Sequence, residues 1–263
     1  MKALKMELYR AFRSKTFFVS LMIGNVICLL DLFTFCCQFG LNINKYLIQS
    51  WVGTDYQFAY NQMFFILLPV LACLPYGGSL YTDIKSGYDK NICVKASRLN
   101  YLFAKCSAVF LSAFTSVTLP LGLNMFIASG LFPNDIPERL EWMSAGLMDR
   151  NLFGVIYSYY PAIYCLIYIL IDGLFAGAIA LTSLSIARTI NSHFTAVVMP
   201  MVVVVITSIM MQGDEKGNWS ILEMINPGQN VTTLWYQMLI VYLVILIVNV
   251  AVITITSKKR DIL

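Results

Sequence analysis

The sequence has 263 residues, of which 59% are hydrophobic and 12% charged, with a formal net charge of +4. Soluble domains carry about 25% charged residues, and a water-soluble fold this apolar would expose large adhesive patches, so the composition points to a chain dissolved in lipid. Basic residues are not interleaved with aromatics in any block, which argues against nucleic acid as a partner.

The seven cysteines, Cys28, Cys36, Cys37, Cys73, Cys93, Cys106 and Cys165, form no CxxC pair, and His193 is the single histidine that could join them. A zinc site is not expected. Most of these thiols fall in apolar runs and read as small hydrophobes. No cleavable signal is evident, because the first apolar run is too long for a signal-peptide core.

Residues 1–15 place Met1, Leu4, Leu8, Ala11 and Phe12 on one side of a helical wheel and Lys2, Lys5, Glu7, Arg10 and Arg13 on the other. That is the pattern of an amphipathic helix lying in the membrane interface. Six segments then carry the ~20 mainly apolar residues that a spanning helix needs: 17–39, 62–81, 106–131, 160–186, 194–211 and 235–256. Helices are expected because lipid offers the backbone no hydrogen-bond partners. The expected fold is therefore all-α: a polytopic membrane protein with six transmembrane helices, in one transmembrane domain over 1–263.

With the N-terminus inside, fourteen Lys and Arg residues fall on the inner side and four on the outer. Positive charge stays in the cytoplasm, so both termini are expected there. Trp51, Trp142, Trp219 and Trp235 all fall on the outer side, as an interfacial belt would place them. Between the fifth and sixth spans, 219–225 is a short apolar stretch closed by Asn226-Pro227-Gly228, read as a short helix at the outer interface.

Polar residues inside the spans are candidate sites. Asp172 lies near the middle of the fourth span, where a carboxylate costs roughly 2.5–3.5 kcal/mol. It reads either as a substrate or conformational site or as a structural hydrogen bond. Asp31 lies outward of the centre of the first span, within reach of the outer interface. Asn25 and Asn124 read as helix–helix bonds. Gly173 and Gly177 form a GxxxG that allows close helix approach. Pro69, Pro75, Pro120 and Pro200 are expected to kink their helices.

The loop 82–105, between the second and third spans, is too charged for membrane and too long for a turn. Apart from setting topology, it can present a short helix to a soluble partner. Asp83, Gly87 four positions on, Ser97-Arg98, and Lys105 seven residues after Arg98 follow one another in it. This order resembles the ABC-2-type transporter permeases, although the family often has Glu at 83, Thr at 88 and Pro at 96. The resemblance implies a cytoplasmic coupling helix that docks on a nucleotide-binding ABC ATPase subunit, with Asp83, Lys85, Gly87, Tyr88, Asp89, Lys90 and Arg98 as its coupling residues. It further implies a permease subunit of an exporter for an amphiphilic peptide, toxin or drug-like molecule. Such a permease works with a second copy or paralogue, as a homodimer for preference, in a bacterial plasma membrane.

The chain has no GxxxxGK[ST] phosphate loop, so ATP and Mg are expected on the partner, with no cofactor, catalytic residue or metal on this chain. Two other readings are weighed. An ion-coupled carrier or channel would use Asp172. An intramembrane protease would need a GxGD or GxSG motif, and neither occurs.

Overall fold

The structure, a computed structural model, describes residues 2–40, 46–54, 59–88, 98–134, 152–187, 192–211, 219–228 and 233–259, and their regular structure is helical throughout. The helices are α1 (Lys2–Phe12), α2 (Lys15–Phe39), α3 (Leu47–Ser50), α4 (Ala59–Cys73), α5 (Ser79–Lys85), α6 (Arg98–Leu131), α7 (Gly154–Tyr159), α8 (Pro161–Ala187), α9 (His193–Met210), α10 (Ile221–Ile225) and α11 (Trp235–Lys259). Five of them, α2, α6, α8, α9 and α11, are long and apolar enough to cross a membrane.

The expected second span, 62–81, takes a different form. Its helix, α4, has 15 residues and is about 22 Å long, short of a hydrocarbon core of about 30 Å. Proline explains the break. Pro75 has no N–H to give to the Leu71 carbonyl four residues back, and that carbonyl instead accepts from Ser20 Oγ at 2.7 Å and Ser116 Oγ at 3.3 Å. The chain then turns through Gly77 and Gly78. A Cβ at Gly77 would collide with Ser183 of α8, and one at Gly78 with the ring of His193 at the start of α9. Glycine here lets two neighbouring helices touch bare backbone.

At the other edge of the same loop, the third span begins earlier than its apolar stretch 106–131. α6 runs unbroken from Arg98 to Leu131. The loop residues 89–97, including Asp89 and Lys90, lie outside the described residues, as does the side chain of Arg98.

The centre of the bundle is α8, whose buried face packs most extensively on α6. Gly173 and Gly177 make this possible: an added Cβ would stand 2.7 Å from Phe114 Cε2 at Gly173 and 2.6 Å from the Phe110 ring at Gly177. The GxxxG therefore receives aromatic side chains of this same chain. At the periphery, α11 shows Leu239, Val244 and Ile247 outward, as lipid-facing residues would be.

α10 occupies the position read as a short helix before the last span. Ser220 Oγ accepts from Glu223 N at 3.4 Å to cap it, and Met224 and Ile225 are buried. Trp219 and Trp235 are exposed, as belt residues should be, but Trp51 is 0% exposed and belongs to the core. Trp142 lies outside the described residues.

Gly177→Leu is expected to lower stability by about 1–3 kcal/mol through overpacking against α6, read as a lower thermal midpoint in detergent. Gly122→Leu, whose side chain would enter open space, should leave the midpoint unchanged.

Candidate functional site

α1 does not lie with all its charges in water. Glu7 and Ala11 are fully buried against the base of α6, and Lys5, Tyr9 and Arg13 remain outside. The wheel placed Glu7 on the polar, solvent side. Its burial is a correction, and the cause is Lys105, a cation likewise 0% exposed, which no buried environment tolerates without carboxylates.

Lys105 Nζ stands 2.5 Å from Asp83 Oδ2 and 3.0 Å from Glu7 Oε2. Arg10 joins the same two acids, at 3.0 Å from Glu7 Oε1 and 2.7 Å from Asp83 Oδ1. Two tyrosines complete the acceptors: Tyr76 donates to Glu7 Oε2 at 2.8 Å and Tyr101 to Asp83 Oδ2 at 2.8 Å. The cations also lie over aromatic faces, Lys105 at 4.3 Å from the Tyr76 ring centroid and Arg10 at 4.4 Å from that of Tyr88. Two acids balance two bases, and the neutral cluster ties α1, the turn before α5, α5 itself and α6 together. The corner between α1 and α2 is tied in as well. Ser14 Oγ and Thr16 Oγ1 donate to the Pro75 carbonyl at 3.1 and 2.9 Å.

Asp83 therefore faces inward. It is 2% exposed, with its carboxylate shared among Arg10, Lys105 and Tyr101, so the surface role implied for it does not match its position. Lys85, two residues on, is exposed. Gly87 has φ +71, a left-handed conformation that glycine adopts without strain, and it ends the turn after α5. Tyr88 is half-buried over Arg10.

The polar residues of the spans divide into three kinds. Asn25 Nδ2 donates to Leu21 O of its own helix at 2.8 Å, so it is no bridge. Asn124 Nδ2 donates to Cys28 O of α2 at 2.8 Å, and its Oδ1 accepts from Val52 N at 3.1 Å. Asp31 and Asp172 are both fully buried within the bundle. Neither oxygen of Asp172 has a hydrogen-bond partner among the described residues. Among the described residues no group of three His, Cys, Asp or Glu could hold a metal ion.

Sequence reasoning had each member of the charged cluster but not the cluster. A lysine inside an otherwise apolar helix, and a lone acid in a basic amphipathic segment, are each a demand for a partner. Read together, they would have pointed at each other.

The chain matches no family model, no curated protein and no solved structure.

Asp83 is held below the ordinary carboxylate range. Burial pushes it up, but the Arg10 hydrogen bond and the Lys105 charge outweigh burial. A depressed carboxylate contributes stability that is complete above its unfolded value and is lost as pH falls through the folded one. Stability should thus be flat near neutrality and fall in acid, and Asp83→Asn should flatten the acid limb of a thermal-midpoint–pH profile. Lys105→Met, which leaves two acids to the single cation Arg10, is expected to cost about 3–5 kcal/mol. Most of this should return in the double variant Glu7→Gln/Lys105→Met, which keeps the Arg10–Asp83 pair, measured by thermal unfolding in detergent.

Proposed function

We propose that this chain is the membrane-spanning permease subunit of an ATP-driven exporter, of the ABC-2 type that its central loop resembles. ATP and Mg bind on a separate ATPase subunit, both termini face the cytoplasm, with α4 and the turn after it making the sixth crossing that this topology requires, and a second copy completes the pathway. The substrate is an amphiphile such as a peptide. The observation that carries the reading is the charged cluster that clamps both flanks of the loop 89–97: α5 before it and α6 after it, with α1 alongside.

A loop that receives force must be anchored in something stiff, or the force is spent in local bending. Here a push on the loop meets Asp83 on one side and Lys105 on the other, joined at 2.5 Å. The displacement passes into α6, a 34-residue helix, and into α1 along the membrane surface. Rigid-body movement of packed helices then alternates exposure of the path.

A second reading, an ion-coupled carrier, is favoured by the unpartnered buried carboxylate of Asp172. It requires transport driven by an ion gradient in the absence of ATP.

Co-purification of an ATPase subunit, with hydrolysis stimulated in vesicles, tests the first reading. Because Asp83 is structural, the informative variant is Lys85→Glu/Arg98→Glu. Stimulated hydrolysis is expected to fall to the basal rate while the thermal midpoint of the permease stays unchanged. Full transport by the purified chain alone would overturn the reading.

A further inference from the structure

Between α2 and α4, residues 46–54 leave the bundle surface and enter its core at the end away from the charged cluster. Leu47, Ile48, Ser50, Trp51 and Val52 are buried, and α3 packs on both α6 and α8. The depth follows from one contact. Trp51 Nε1 donates to the Leu121 carbonyl at 3.4 Å, ten residues before α6 ends at Leu131, which is about 15 Å along the helix.

Irregular backbone at membrane depth survives only where protein satisfies its polar groups. Side chains of α4 and α6 do so here. Asn124 Oδ1 accepts from Val52 N at 3.1 Å, and Asn61 Nδ2 donates to Val52 O. Asn124 is itself fixed by its bond to Cys28 O. Inside the segment, Thr54 Oγ1 donates to Ile48 O, and Gly53 leaves room for the Trp51 indole, which any Cβ at 53 would strike. At its mouth, Leu47 N donates to Pro133 O at 3.0 Å.

We infer that residues 46–54 are a re-entrant plug, held closed by Asn61 and Asn124 through the peptide groups of Val52, which withdraws to open this end of the bundle. The bonds that hold it have the character of a latch. A four-residue helix has no stability of its own, so the segment stays in place through packing and the two asparagines. Neither α4 nor α6 has to unwind to release it. Its departure would vacate the space of an indole and three aliphatic side chains beside α6 and α8, the two most extensively packed helices. The inference rests on the permease reading only in that a permease must open at this end.

The test uses the full chain in lipid nanodiscs, both faces accessible, with every native cysteine except Cys73 replaced and Ser50→Cys introduced. Ser50 and Cys73 are both buried, the former in the plug and the latter at the end of α4. A small maleimide should label neither at an appreciable rate. Adding Asn61→Ala and Asn124→Ala should raise labelling at position 50 by about tenfold or more, since local opening then breaks fewer buried hydrogen bonds, while Cys73 stays protected. Unchanged protection at position 50, or equal exposure of Cys73 by general loosening, overturns the inference. No ATPase is needed, so the plug can fail while partner binding holds, and the reverse.

Discussion

An ammonium group buried in protein must be neutralised, and the cytoplasmic-side architecture proposed for this chain is arranged around one such group. Lys105 is fully enclosed at the base of α6. Satisfying it draws a carboxylate from α1 and another from α5. Those two acids together exceed what one cation balances, and Arg10 supplies the second. Each partner is thus recruited by the imbalance the previous one leaves. The result fixes an N-terminal helix that its amphipathic pattern alone would allow to drift along the membrane surface.

Such a cluster is a poor source of net stability, because desolvation consumes most of the attraction between its charges. Its effect is on specificity. An apolar contact of the same size can slip by a turn with little loss. Four charges and two phenols admit one arrangement, so α1, α5 and α6 keep a single register. A segment that transmits displacement benefits from that more than from added stability.

The class of fold was legible because its cause is additive. Each long apolar run independently demands a helix, and five of the six arrived within a few residues of their expected limits, apart from the early start of α6. The remaining run, 62–81, is helical only as far as Cys73 in α4, and it breaks where hydropathy is blind. Leu74 to Gly78 is apolar enough to count as membrane, yet Pro75 removes a donor and two glycines remove side chains. Local backbone chemistry overrode the sum. The plug was missed for a related reason: Leu47-Ile48 and Trp51-Val52 are paired four apart, a helical spacing, but the stretch is too short to register as a span. Trp51 shows the cost of reading a residue type by its commonest setting, for its indole serves the core and not the interface. Asp83 was found by resemblance and misplaced by it. Its position in the loop suggested a surface, and only the partners, Arg10, Lys105 and Tyr101, reveal that it is an internal counter-ion.

The Leu71 carbonyl has a further consequence. It is served by hydroxyls from two different helices, Ser20 on α2 and Ser116 on α6. An oxygen with two lone pairs stays satisfied when either donor departs. If α2 slides past α4 and takes Ser20 with it, the Ser116 hydroxyl, which also reaches Ala113 O of its own helix at 2.8 Å, is still at hand for the Leu71 carbonyl. The proline that shortened α4 has freed a carbonyl of that helix to be shared with α2 and α6, at the level where the three helices meet.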